Sequence, residues 1–348
     1  MHLDVRGHPL HTRALGVTLT HRDAGTLAVD ASLLDLRKCG FVPVGGDLQP
    51  AGIVHDMRLS GVVAPRAGGL QTISAEQRAV AFEPSVATGG ESCRDPIGRI
   101  EALAGVPFGD AWTRRLGEAV GGNRGCSHLL TLGHLLGSTV TWALARDRAR
   151  FGDAPSRAAG ARVFRRDVVV DGHQAAAGGF ALALQLTDLH LAPASNDARP
   201  MDRYAGDLAV RAQVAVDGPT MAVTEVVIAE RRRTADTHES TEWRMREDVA
   251  AAIRGVGLGS GATAALRERV TDADDRPLLD ALLMLAPTIV QCWAARSDVW
   301  PTMAERGGGV VGLGGLPDSC YMWRRDGTLQ RARRVEAGVS VGTQPRRT

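Results

Sequence analysis

Lysine is almost missing from this chain: Lys38 is the single lysine among 41 basic residues. The formal net charge is only +2, so no global attraction to nucleic acid or to an anionic membrane is expected. The arginine, alanine and glycine bias reads as a GC-rich bacterial genome rather than a phosphate-binding surface. Cysteine is sparse and odd in number, with five residues (Cys39, Cys93, Cys126, Cys292 and Cys320) and no CxxC pair. That usage fits reduced cytosolic thiols better than a disulfide framework or a zinc finger. The first residues, MHLDVRGHPLHTR, hold no apolar core of signal-peptide length. The most apolar stretch, 278–293, is interrupted by Asp280, Pro287 and Gln291 and reads as too short to cross a bilayer comfortably. A GxSxG elbow is missing, which argues against serine-triad hydrolysis. The glycine-rich run 306–317 lacks the GKS or GKT ending of a phosphate loop and reads as a connector. The expectation is a bacterial cytoplasmic protein with no nucleic-acid or membrane partner.

What is present is an internal echo. Residues 105–146 recur without a gap at 255–296, pairing Gly105 with Gly255, Thr113 with Thr263, Glu118 with Glu268 and Arg146 with Arg296. Shared leucines alone would be weak, since any two amphipathic helices slide into register. Matching glycines, a threonine, a glutamate and an arginine are more specific. Upstream, 27–37 matches 180–190 at a slightly larger offset, pairing Asp35-Leu36 with Asp188-Leu189. Loops absorb such small insertions.

Period-two alternation predicts strands at 15–21, 26–37, 52–64, 70–82, 180–190, 208–216 and 221–232. Helical periodicity follows at about 95–104, 109–120, 126–146, 244–254, 261–270 and 277–296. A kink is expected in both long helices, at Gly137 and at Pro287. Strands followed by helices, without strict alternation, predict an α+β layer fold rather than a parallel doubly wound sheet. Two tandem pseudo-symmetric units are expected, each an antiparallel β-meander followed by about three helices, packed as a pseudo-dimer. The first unit spans 1–150 and a degenerate second copy spans 151–305. A glycine-rich connector with a closing β-hairpin (306–332) and a disordered tail (333–348) complete the chain. The oligomeric expectation is a pseudo-dimeric monomer or a homo-oligomer.

Reactive residues are confined to the first copy. In register, Cys126 faces Arg276, His128 faces Leu278 and Cys93 faces Trp243. Local alignment sets His55 against Gly206 and Asp56 against Asp207, which makes Asp56 structural. Gly125-Cys126-Ser127-His128 opens a helix, where unpaired N–H groups favour a thiolate that serves as nucleophile or metal ligand. His55 alternates with Ile53, Met57 and Leu59 onto the strand face toward the helices. His55, Cys93, Cys126 and His128 together form a candidate Cys2His2 set for zinc or iron. Cys126, His128 and His55 are the candidate catalytic groups. The bland alternative is a set of core residues, and the joint loss of all four in the second copy argues against it.

At these residues the chain resembles the bacterial domain-of-unknown-function family 2889. The resemblance is carried by His55-Asp56-Met57, Cys93 ahead of the LAGV helix end, Gly125-Cys126-Ser127-His128-Leu129, and the closing 320–327 segment CYMWRRDG. Ser127 departs from the threonine more common there. The resemblance covers 1–146 and returns at 317–332, and it adds Cys320 to the candidates. It implies a cytoplasmic enzyme of lipid-like or specialised metabolism acting on a small hydrophobic acyl or terpenoid substrate. The alternative is a non-catalytic metal or iron–sulfur carrier, or an accessory subunit.

Overall fold

Long alternating segments form the strands that the period-two pattern predicts, usually extended by a few residues. The computed structural model describes residues 7–296 and 318–331, apart from 24, 40–41, 45–46, 65, 67, 87, 154, 176–177, 194–197 and 236–241. The first half contributes β1 (His8–Asp23), β2 (Thr26–Arg37), the short β3 (Val42–Val44) and β4 (Asp47–Gln49), β5 (Gly52–Val63) and β6 (Leu70–Ala79). Its helices are α1 (Asp110–Val120) and α2 (Ser127–Phe151), preceded by a 3-10 segment at Ile97–Leu103. The second half contributes β7 (Arg162–Gln174), β8 (Phe180–Leu191), β9 (Tyr204–Val216), β10 (Val223–Thr234) and β11 (Arg244–Met245). Four helices follow: α3 (Glu247–Ile253), α4 (Ala262–Arg269), α5 (Arg276–Leu282) and α6 (Leu285–Ala295).

Nine strands join edge to edge in one antiparallel sheet, ordered β11-β10-β9-β8-β7-β1-β2-β5-β6. The two halves therefore do not pack as separate units face to face. They meet in the backbone ladder between β1 and β7, where Leu15 sits opposite Val168. One face carries Leu15, Val17, Leu19, Val29, Leu33, Met57 and Leu59 into a single core under the helices. The opposite face shows Asp30, Ser32, Arg58 and Ser60 to solvent, the signature of a two-layer sheet. α2 lies on β1, β2 and β5, whereas α6 straddles the seam on β1, β7 and β8. Close approach at the seam requires Gly172, because a Cβ there would come within 2.1 Å of the Cys292 sulfur on α6.

Several local expectations change. The pattern predicts no strand at β7 or at the short β3 and β4, which pair with each other. Ile53 leaves the buried face because Leu36 pairs with Ile53 and Asp35 with His55, so Val54 is an extra residue in a bulge. α2 runs unbroken through Gly137, whose bare Cα accepts the Trp112 indole: a Cβ there would lie 2.6 Å from its nitrogen. In the second half the break falls at 283–284, between α5 and α6, rather than at Pro287. The run Ala273–Ala295 is long and apolar enough by length and composition to span a membrane, and 56% of its most apolar window is buried within the fold. The closing segment is no β-hairpin: Tyr321–Trp323 form a 3-10 turn. The connector at 306–317 and the tail at 333–348 lie outside the described residues.

Candidate functional site

Asp35 occupies a position of β2 that alternation assigns to the core, in phase with Leu27, Val29, Ala31 and Leu33. A carboxylate there is tolerated only with partners, and two neighbouring strands provide them. In the ladder Arg13 stands opposite Asp35 on one side and His55 stands opposite it on the other. Arg13 makes a bidentate pair with Asp35, Nε to Oδ1 at 2.7 Å and a terminal nitrogen to Oδ2 at 2.8 Å. His11, two residues before Arg13 on the same face, meets Oδ1 at 3.0 Å through Nε2. His55 reaches Oδ2 through Nδ1 at 3.0 Å. From above, His128 in the first turn of α2 brings Nε2 to 3.3 Å from Oδ2. Its ring lies over that of His55, with centroids 3.7 Å apart. Burial would raise the Asp35 pKa, but the Arg13 guanidinium and the His11 and His128 donors hold the carboxyl well below its usual range.

The ionised Asp35 fixes the His128 tautomer. A carboxylate accepts only, so Nε2 carries the proton and Nδ1 is left bare. Nδ1 faces Cys126, whose sulfur is 3.9 Å away. Gln291 of α6 has its amide Nε2 3.3 Å from the ring Nε2 of His128, so a proton on that ring nitrogen requires the amide to be turned with its oxygen inward. Burial and the neighbouring His55 push the His128 pKa down to about 3, against the opposing pull of Asp35. The imidazole is therefore neutral at physiological pH. A line of three groups results, running from the Cys126 thiol through the His128 imidazole to the Asp35 carboxylate.

Cys126 caps the N-terminus of α2, as the sequence suggested, but the expected stabilised thiolate is overridden. Burial pushes the thiol up to about 12, although the backbone N–H groups of Leu129 and His128 pull the other way. Desolvation of a charge outweighs the pull of nearby N–H groups at a helix end. Cys292 is also pushed up to about 12 by burial. Its sulfur has no counterpart of the His128 contact among the described residues. Gln77 of β6 completes the surroundings, with Nε2 3.8 Å from the Cys126 sulfur and 3.6 Å from the Met57 sulfur.

Of the four residues singled out in sequence, His55, His128 and Cys126 converge. Cys93 is near enough to Cys126 and Cys320 for their charges to add to the burial that raises its own pKa. Cys320 is brought in because the Tyr321 N–H donates to the Gly125 carbonyl at 2.7 Å. Among the described residues, the three-ligand cluster with all donor atoms within 4.8 Å of one another is Asp35, His55 and His128, without either cysteine. Asp35, Arg13, His11, Gln77 and Gln291 were missed in sequence. The available signal was a charge in the buried phase of a strand, Asp35 after Leu33 and Arg13 before Leu15.

The second half repeats the foundation without the histidines. Arg166 pairs with Asp188 in the same bidentate manner, at 2.7 and 2.6 Å. Asp188 faces Leu208 across the ladder. The counterpart of His55 is thus Leu208, two residues beyond the Gly206 suggested by local alignment.

An α+β protein with a buried thiol–imidazole–carboxylate line is the class that fold and site define. The model of a family described as a protein of unknown function (DUF2889) matches residues 11–142, which hold Arg13, Asp35, His55, Cys126 and His128. No curated protein and no solved structure matches the chain.

Proposed function

We propose that the protein is a thiol-dependent enzyme in which Cys126 attacks an electrophilic carbon of a small hydrophobic substrate and His128 takes the thiol proton. The observation carrying this reading is the orientation of His128, with Nε2 on Asp35 and Nδ1 3.9 Å from the Cys126 sulfur. A base needs both reach and the right tautomer, and this orientation supports both, with the contact tightening as substrate binds. The raised thiol and the depressed imidazole make the neutral pair the resting state, so the proton moves as the carbon–sulfur bond forms. Leu129 and Met57, both buried beside the site, suit an apolar substrate, in keeping with the lipid-like, acyl or terpenoid chemistry that the family resemblance implies.

Alkyl chloroacetamides of increasing chain length test this reading. The expected result is one adduct mapped to Cys126, faster with longer chains, while Cys292 stays unmodified. His128→Gln is expected to slow the reaction by about 100-fold or more. Equal labelling of the wild type and Cys126→Ser, or labelling indifferent to His128, would overturn it.

A second reading has its own observation, the Asp35–His55–His128 cluster, which is a donor set suited to zinc or iron. Arg13 already occupies both Asp35 oxygens, and that weighs against a resident metal. One zinc or iron per chain in protein purified without a chelating tag would favour a metal centre, either catalytic or in a carrier.

We also infer that the two halves arose by tandem duplication and that the second has become support. One offset of 153 residues relates Arg13 to Arg166, Asp35 to Asp188 and Leu15 to Val168, and the last two residues face each other across the seam. The shared Arg–Asp pair then belongs to the scaffold, and the histidines belong to the chemistry of the first half. The contact of Gln291 with His128 supports a contribution of the second half to the site.

A further inference from the structure

We infer that the substrate of this thiol site is an ester or thioester, and that Gln77 donates the hydrogen bond that holds the oxyanion formed when Cys126 attacks its carbonyl. The inference rests on the proposal that Cys126 is the nucleophile, and it narrows that reading to one class of carbonyl substrate.

Gln77 lies on β6, where its side chain is 5% exposed. Its amide orientation is fixed by chemistry. Met57 Sδ, 3.6 Å away, is a thioether that can only accept, so the nitrogen must face both sulfurs. One N–H thus points beside the Cys126 sulfur. The other end of the amide, Oε1, is buried without a hydrogen-bond partner. A buried amide with an unsatisfied atom is costly in a scaffold, and a methionine or leucine would fill the same space without that cost.

A second set of donors points to the same place. The backbone N–H groups of His128 and Leu129 lie in the open first turn of the 25-residue helix α2, next to Cys126 at its N-cap, and favour negative charge there. A carbonyl carbon bonded to that sulfur carries its oxygen about 3 Å away, within reach of these donors and of the Gln77 amide. Donors converging from a helix start and a side-chain amide, in a dry site, are what a tetrahedral oxyanion needs. An SN2 electrophile develops no such charge and would leave them unused.

For a thioester the step balances as follows. The Cys126 sulfur bonds to the carbonyl carbon, and its proton passes to Nδ1 of His128. The carbonyl electron pair becomes the oxyanion beside Gln77. Collapse of the adduct expels the leaving thiolate, which takes the proton from His128, and Cys126 is left acylated.

The test compares acylation with alkylation in the full chain. Hexanoyl-N-acetylcysteamine serves as acyl probe and hexyl chloroacetamide as alkyl probe, with adducts on Cys126 followed by intact mass. Gln77→Met keeps the volume and removes the donor. The expected result is acylation slowed by about 100- to 1,000-fold, with alkylation changed less than threefold. Gln77→Leu, which also lacks the donor, should show the same split, and that guards against a packing artefact of methionine. Equal slowing of both reactions would make Gln77 a positioning residue and overturn the inference. Unchanged acylation would overturn it as well. Wild-type protein that is alkylated through His128 but not acylated would remove the ester or thioester class and leave the nucleophile reading standing. Failure of both probes on the wild type would remove both.

Discussion

Asp35→Asn is expected to lower the unfolding free energy by about 3–5 kcal/mol, the cost of leaving a buried charge without its partner. Arg13 is 1% exposed and has no other carboxylate beside it among the described residues. The amide offers a single acceptor oxygen to a guanidinium and three histidines that now share two. His128 also loses the acceptor that fixes its tautomer, so alkylation of Cys126 should slow together with the loss of stability. Asp188→Asn provides the internal comparison. Arg166 keeps Asp280, 2.5 Å away, so its loss should be smaller, and Cys126 should react as in the wild type. Urea unfolding near pH 7.5 reads the first effect and adduct formation the second. A loss below about 1 kcal/mol in Asp35→Asn, the range of an exposed ion pair, would show that Arg13 finds compensation elsewhere.

Acidification from pH 7 to pH 4 is expected to destabilise the fold steeply, well before most carboxylates titrate. Burial pushes His128 down to about 3, helped by His55 and opposed by Asp35. His134 falls to about 4, through burial and the nearby Arg267 and Arg276. His190 also falls to about 4, through burial and Arg166, against Asp188. In the unfolded chain all three titrate near 6.5. Between these limits the unfolded state binds more protons, so stability rises with pH there. The contribution is complete above pH 6.5 and is lost as pH falls toward the folded values. Each histidine adds a slope of up to about 1.4 kcal/mol per pH unit. Asp35, held well below its ordinary value, adds a loss of the same sign at lower pH. Urea midpoints at pH 7, 6, 5 and 4 would show this, and His134→Leu should flatten the curve by one histidine. A midpoint constant down to pH 4.5 would contradict the burial of these rings as neutral groups.

Much of the scaffold was legible because period-two alternation is a local property. The segment 26–37 is a strand with the bounds that its pattern predicts. The continuous sheet was not legible, because the β1–β7 ladder is a backbone pairing that no side-chain pattern announces. The bulge at Val54 is similar: one extra residue turns Ile53 outward while His55 stays in, and alternation carries no mark of it. At the site, the contrast between the matching segments pointed to His55, Cys126 and His128, because cysteine and histidine are absent from the matching positions of the second segment while the apolar pattern persists. The same contrast hid Asp35 and Arg13. Both have a matching counterpart in the second half, so a search for differences passes over the pair that holds His55 and His128 in place. The charge state of Cys126 was misjudged for another reason: the helix start is visible in sequence, but the depth at which it is buried is not.

The seam between β1 and β7 also bears on solubility. In a chain ending after α2, β1 would be the border of the sheet, a 16-residue strand (His8–Asp23) with a row of unsatisfied N–H and C=O groups. At its middle the outward positions Ala14, Gly16 and Thr18 carry no charge and little bulk. Such a border recruits further strands and grows into aggregates. β7 closes it from within the same chain, and the far end of the extended sheet is finished by the two-residue β11, too short to template another molecule.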